Sequence, residues 1–507
     1  MTAPTDQSSS VGADRSADEA DVVIHDAVVV TVDGDNRIFE NGTVVVHDNV
    51  ITEVRCTRDE DPTCDADCVI NGDGKLVMPG LVNAHTHLEM TALFGAFSDM
   101  ELTEMMTRMT ALYDDFWTGD LDYLIESGME LAALNFLRGG VTTVNSMDAR
   151  PRAGIDAYAE TGLRGFFGPS ISDLFWDHPV EEQIDRFRSF TEQYHGSYDD
   201  RIRATLCPHD DWSVTGDLWE QCADLAAEYP DIMVHTHLLE LEQSNTVARS
   251  SGGEDSLNLL DEVGLLNDRL VGAHYRVADE EDIERTAEAG VSVAHCPSIF
   301  CHWNVDPDMQ WTPVPELRAA GVDVGLGIDD HYWHDSYSMF GEARQARLAA
   351  NLKKGANQFD SVELLRMLTI ESARALGVGD EIGSLEPGKR ADLIVLRWDA
   401  PKFTPSTNVS GHLVGHAAPA DVETVIVDGA ILLDHGEYQT VEPSAVQERV
   451  RGALERFETE SEWTFSRTGS DSPGTLDVAK SLPKRGPVHM LSRIAVQSTK
   501  DSLPFAN

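Results

Sequence analysis

Between about residue 80 and residue 378 the chain alternates short apolar runs with amphipathic stretches, and six of eight runs end in a histidine or an aspartate. The runs are 80–87, "VTTVNSM" (141–147), "LRGFFGPS" (163–170), "IRATLCPH" (202–209), "IMVHTH" (232–237), "LVGAH" (270–274), "VSVAH" (291–295) and "VDVGLGID" (322–329). Apolar runs of this length read as strands buried on both faces. Pieces between them, such as "LWEQCADLAAEY", "DEEDIERTAEAG" and "VPELRAAG", carry apolar residues at i, i+3 and i+4, and two of them close on Gly, as helices do. Eight such repeats predict an α/β fold, a (β/α)8 TIM barrel. His87, His209, His237, His274, His295 and Asp329 then close their strands at the rim that carries the active site in such barrels.

The flanks have another texture. "DVVIHDAVVVTVDG", "GTVVVHDNVITEVR" and "CVINGDGKLVMPG" are Val-rich and broken by Asp-Gly or Asn-Gly type turns, which predicts antiparallel strands. "ADLIVLRWD" and "VETVIVDGAILLDHG" repeat the pattern near the other end. The expected organisation is a disordered acidic tail (1–20), a small β-sandwich domain built from 21–79 and 379–440, the barrel over 80–378, and a helix with an extension of open role over 441–507.

The 507 residues include 88 acidic and only 38 basic side chains, a net charge of −50, and eight of the basic residues are Lys. Acidity spread along the whole chain repels nucleic acid and anionic membrane surfaces, and it fits a protein adapted to high salt, where like charges are screened. No run approaches the ~18 apolar residues of a membrane-spanning helix. Residues 1–20 lack the apolar centre of a secretory signal, and the seven Cys are dispersed, which points to a reducing cytoplasm. "CTRDEDPTCDADC" offers three thiols without a fourth ligand, a poor structural zinc site.

His85 and His87 in "PGLVNAHTHLEM" alternate along a strand and reach one face. Alone, the pair reads as readily as ordinary polar residues at a strand end. "VHTHLLE" adds His235, His237 and Glu240, and "GLGIDD" adds Asp329. Three imidazoles and a carboxylate suit one divalent ion, zinc first and iron or manganese as alternatives, with a position left for water. Such an ion lowers the pKa of its water and makes a hydroxide nucleophile.

"PGLVNAHTHL" (79–88), "HTHLLE" (235–240), "GAHY" (272–275), "VAHCP" (293–297), "GIDD" (327–330), "SMFGEARQARLAA" (338–350) and "GSLEPGKRADLIVL" (383–396) stand in this order. Over about residues 22–435 the chain resembles the amidohydrolase superfamily, in its mononuclear branch of deaminases and chlorohydrolases acting on N-heterocycles. That branch includes adenosylhomocysteine/methylthioadenosine deaminases, guanine deaminase and s-triazine hydrolases. The resemblance implies that His85, His87, His237 and Asp329 bind the metal, that Glu240 shuttles protons, and that His274 and Asp329 orient the attacking water. It places His209 and His295 against the substrate and His235 in support. The Lys-bridged two-metal design is excluded, because no Lys occurs between Lys75 and Lys353.

Glu89 follows the first motif and is expected at the mouth, as a substrate contact or a supporting acid. Trp333, in "HYWHDS" directly after Asp329, is placed to stack on a planar ring. The expected activity is removal of an amino group as ammonia from a purine, pterin, pyrimidine or triazine by metal-activated hydroxide. The alternative is a chlorohydrolase or an amide or alkylamine hydrolase on an s-triazine-like ring. "PSIFCHWN" and "ALFGAF" depart from the Pro-x-Ser-Asn and Arg-Gly patterns of the deaminases, which leaves the heterocycle open. The expected partners are that small molecule and further copies of the chain, in a dimer or larger homo-oligomer.

Overall fold

The computed structural model describes residues 20–58, 66–98, 100, 105, 108–109, 112, 115–176, 178–241, 244–303, 311–334, 336–466 and 469–471. The tail up to residue 19, Cys64 of the three-thiol stretch and the extension from residue 472 lie outside them.

The Val-rich segments from both ends pair into one nine-stranded sheet. Its main path runs Glu437–Tyr438, Ala430–Asp434, Val422–Val427, Leu393–Arg397, Lys75–Pro79, Ala20–Val30, Ile38–His47 and Val50–Cys56, with Ala66–Asn71 also paired to Ala20–Val30. Two hairpins turn where the sequence supplies left-handed residues: Asp48 (φ 46°) with Asn49 (φ 64°), and Asp428 (φ 52°) with Gly429 (φ 78°). The antiparallel expectation fails twice. Ala66–Asn71 and Lys75–Pro79 run parallel to Ala20–Val30, because the chain leaves the hairpin and returns on that strand's other edge. Val22, Ile24, Val44, Val46, Val77, Leu393, Val395 and Ile426 form this sheet's own buried cluster.

The eight expected runs form parallel strands, in two sheets rather than one continuous ring. One sheet holds Leu81–Thr86, Val141–Asp148, Arg164–Ile171, Ile202–Ala204 and Cys207–Pro208. The other holds Val234–Leu238, Leu270–His274, Ser292–His295 and Val324–Leu326. The fourth run is split, and isolated bridges Leu206–Val234 and Asp210–His237 connect the sheets there. At the other seam the His85 carbonyl accepts both Ile328 N–H and Asp329 N–H at 3.0 Å, and Thr86 bridges Asp329. The regular ladder therefore gives way where ligand-type residues cluster.

Helices cover these sheets as the periodicity predicts. Glu280–Ala289 starts at a capping box made by Asp279 and Asp282 and stops at Gly290 (φ 75°). Gly216–Glu228, Val314–Ala319 and Pro443–Glu460 fall on the other expected segments. A buried ion pair ties the two parts of the molecule together: Arg164 Nε donates to Asp392 Oδ2 at 2.9 Å, and Arg164 Nη2 donates to Asp392 Oδ1 at 3.2 Å. Among the described residues no helix is long and apolar enough to cross a membrane.

Candidate metal centre and catalytic cavity

Three imidazoles converge because each has its Nδ1 already engaged. His85 Nδ1 lies 2.8 Å from His235 Nε2, His87 Nδ1 lies 2.5 Å from the Met147 carbonyl, and His237 Nδ1 lies 2.5 Å from the His209 carbonyl. Such contacts fix ring orientation and tautomer, leaving Nε2 as the free donor atom. His87 Nε2 and His237 Nε2 are 3.2 Å apart, and Asp329 Oδ1 is 3.6 Å from the Nε2 atoms of both His85 and His87. His85 lies in the first parallel strand, and His87 falls just past its end. Asp329 is held in the left-handed region (φ 66°) at the seam, its N–H bonded to His85.

These residues fit a metal ion. His85 Nε2 is fully buried and has no hydrogen-bond partner, an expensive condition for a ring nitrogen with nothing to bind. Nitrogen atoms of His85, His87 and His237 lie within 4.8 Å of one another. Burial pushes the His85, His237 and His274 imidazoles well below their ordinary pKa and keeps them neutral, the form that binds metal. His87 differs: burial disfavours its cation, but Asp330, Asp329 and Asp148 outweigh that and raise it.

A narrow cavity opens over this cluster. Glu240, His274 and Asp329 share one wall, with His274 Nε2 at 3.9 Å from Glu240 Oε1 and 3.7 Å from Asp329 Oδ2. Burial, then the Asp329 charge, push the Glu240 carboxyl up to about 8, against the pull of Arg276. Trp212 Nε1 donates to Glu240 Oε2 at 3.4 Å. His209 stacks on Phe175 with ring centres 4.6 Å apart, and its Nδ1 contacts Asp210. Asp210 is itself fixed by Trp212 N–H and by the Ser213 hydroxyl.

A sequence model of the amidohydrolase family matches residues 76–432. The 5′-deoxyadenosine deaminase of Methanothermobacter thermautotrophicus is 34% identical over 82% of this chain and 94% of its own. The chain belongs to the amidohydrolase family. The 5-methylthioadenosine/S-adenosylhomocysteine deaminase of Symbiobacterium thermophilum is 32% identical over 86% of this chain and 99% of its own. A zinc-bound adenosine deaminase of Xanthomonas campestris superposes with a TM-score of 0.79 at 30% identity, covering 87% of this chain and 99% of that one. This amidohydrolase is accordingly a hydrolase of carbon–nitrogen bonds other than peptide bonds.

Of the residues expected from sequence, His87, His209, His237, Glu240, His274, Asp329 and Glu89 line the cavity of this amidohydrolase, and His85 lies beneath it. Two expected substrate contacts do not line it. His295 is buried beside Trp311, and Trp333 turns away so that its Nε1 donates to the Met100 carbonyl at 3.4 Å. Tyr332 lines the cavity in its place, because neighbouring helical residues point about 100° apart. Sequence reasoning also missed Asp148, Asp330 and Arg276. Asp148 Oδ1 accepts Leu88 N–H at 2.7 Å and Glu89 N–H at 3.0 Å, and Glu89 Oε2 accepts Ala149 N–H at 2.7 Å. Asp148 is the last residue of its strand, the position that identified the histidines; ending that run at 147 hid it. Arg276 is buried over the Phe300 ring at 4.4 Å, with no signal in its spacing.

Proposed function

We propose that the enzyme removes an amino group as ammonia from an aminated N-heterocycle of the aminopurine class. The observation that carries this reading is Glu240: a buried carboxyl in the cavity wall, beside His274, next to three convergent imidazoles. His85, His87, His237 and Asp329 would hold one divalent ion, zinc first, which would supply a water acidic enough to lose its proton near neutral pH and become a nucleophile. Glu240 then works as general acid and base, giving a proton to a ring nitrogen and later to the departing amine. Its raised pKa suits a group that must both hold and release a proton near neutrality. His274, between Glu240 and Asp329, orients the polar groups on that wall, and the His209–Phe175 stack offers a flat face to a planar ring. Chloride needs no proton to leave whereas an amine does, so Glu240 favours the aminohydrolase over a chlorohydrolase.

The same reading takes the two parallel sheets as halves of one (β/α)8 barrel over 80–378, supported by the bridges at both seams. It takes the nine-stranded sheet as a sandwich-like domain built from 21–79 and 379–440, with the Pro443–Glu460 helix and the extension to residue 507 appended. We further propose salt adaptation, a cytoplasmic setting and a homo-oligomer, the first resting on the charge of −50.

The test is ammonia release from a panel of aminopurines, pterins, pyrimidines and triazines, run in molar salt and after dialysis into dilute buffer, with chloride release followed in parallel. Aminopurines should release ammonia, and activity should fall in dilute buffer. Glu240→Gln should keep its metal and lose about 10²- to 10⁴-fold in turnover. Chloride release without ammonia release, or full turnover in Glu240→Gln, would sink the reading.

A further inference from the structure

The strand Arg164–Ile171 brings to the cavity a polar residue that the reaction above does not use, Ser170. Ser170 is 3% exposed, and its hydroxyl is buried with no hydrogen-bond partner among the described residues. Hydroxyls nearby are engaged: Ser146 Oγ donates to Asp148 Oδ2 at 2.6 Å, and Ser172 Oγ donates to the Ser213 carbonyl at 2.8 Å. Thr143 Oγ1 is open as well, but Thr143 does not line the cavity. A buried hydroxyl left open on a cavity wall is costly unless a ligand completes it.

Its place in the sheet says which part of a substrate it meets. The strands follow in the order Leu81–Thr86, Val141–Asp148, Arg164–Ile171 and Cys207–Pro208, and the Asp210–His237 bridge leads on to Val234–Leu238. Arg164–Ile171 is thus two strands from the one that carries His85 and two from the one that carries His237. Two strand spacings are roughly 10 Å. Serine has a short side chain, so the substrate covers most of that gap: a single six-membered ring held at the imidazoles falls short, and a fused second ring or its substituent spans the rest. The lining from the same strands and their loops, Met147, Ala149, Phe175 and Trp176, carries no charge. A polar atom that enters there meets the Ser170 hydroxyl in largely apolar surroundings, where an unmade hydrogen bond is expensive.

We infer that Ser170 sets substrate choice by hydrogen-bonding a neutral polar atom remote from the carbon that reacts, on the second ring of a fused heterocycle or on its N-linked substituent. This rests on the aminopurine reading, and it goes beyond it by selecting two-ring substrates over one-ring pyrimidines and triazines. A one-ring substrate leaves the hydroxyl as open in the complex as in the free protein and gains nothing there. A serine hydroxyl both donates and accepts, so a ring nitrogen and a sugar hydroxyl are equally able partners.

The test measures binding, so that it stands apart from turnover. The zinc-loaded Glu240→Gln protein, with and without Ser170→Ala, is titrated calorimetrically with adenosine, 3-deazaadenosine, 7-deazaadenosine, adenine and cytosine. Ser170→Ala should weaken adenosine by about 3- to 10-fold, the loss of one hydrogen bond, and leave cytosine unchanged. One of the other three compounds lacks the partner atom and should bind both proteins alike: a deaza compound if the partner is that ring nitrogen, adenine if it is the sugar. Thr143→Val, which removes an open hydroxyl outside the cavity, should change none of the five affinities. Without ligand, Ser170→Ala should melt at the same temperature or higher, because it deletes an unpaired buried hydroxyl. Equal affinities in the two proteins for every compound, an equal loss for all four two-ring compounds, a loss for cytosine as large as for adenosine, a lower melting temperature, or binding of none of the five overturns the inference. Ammonia release by the wild type is followed separately: aminopurine turnover alongside unchanged binding in Ser170→Ala removes this inference alone, and no aminopurine turnover removes the aminopurine reading.

Discussion

The floor of the cavity and its Glu89 side are both buried and both ionisable, and one cause drives them to opposite ends of the pH scale. Burial disfavours charge, so it lowers the pKa of His85, His237 and His274 and raises that of Glu89, to about 8, and that of Asp148. Both regions are thereby pushed toward neutrality, yet their chemistry differs. Neutral imidazoles are finished ligands waiting for a cation. Buried carboxyls are unfinished, and they hold their shape by accepting N–H groups from Leu88, Glu89 and Ala149. His87 stands at the boundary and takes its raised pKa from the carboxyl side. Glu342, outside the cavity, is also pushed up to about 8 by burial while it accepts Ser298 N–H at 3.1 Å. A raised carboxyl pKa alone is thus no mark of function in this molecule; convergence on a cavity is.

The largest effect should come from breaking the floor. His237→Ala should lose most of its bound metal by elemental analysis and at least about 10³-fold in turnover, because four ligands become three. Retained metal at wild-type stoichiometry would remove His237 from the ligand set. A smaller effect should follow on the carboxyl side: Asp148→Asn should keep the metal and cost about 10- to 100-fold in turnover, since it weakens the acceptor that holds Leu88 and Glu89 beside His87. Metal loss as deep as that of His237→Ala would mean that the two regions are not separable.

The smallest effect concerns Glu342. Its folded pKa of about 8 stands above the unfolded value of 4.5, so the native state binds the extra proton between those two values. Wild-type stability should therefore decline as pH rises through that window and level off above it, at no more than about 1.4 kcal/mol per pH unit. Glu342→Gln should lack this component, seen as a shallower fall of the urea midpoint between pH 5 and pH 8. An identical pH dependence in both proteins would show that Glu342 ionises freely.

The floor was legible in the sequence because strands have a strict period and the histidines sit where apolar runs stop. That rule gathers His85, His87, His235, His237 and Asp329 at one rim; choosing His237 over His235 took the resemblance to the family. The Glu89 side was not legible, since Glu89, Asp148 and Asp330 come from three separate strand ends in a chain with 88 acidic residues, where one more acid carries no information. Trp333 was misplaced for a different reason: adjacency to Asp329 fixes position along the chain and leaves direction around a helical turn undetermined. The flanking strands were foreseen from their turns, but their direction was not, because parallel and antiparallel partners draw on the same Val-rich residues.

Lys75–Pro79 lies between Ala20–Val30 and Leu393–Arg397 and passes through Gly80 straight into the strand that carries His85. During synthesis the first ligand strand therefore emerges long before the strand that clamps its root, Leu393–Arg397, has been made. Any early docking of the imidazoles stays provisional until Leu393–Arg397 arrives, so the assembled site also reports that translation has passed that strand.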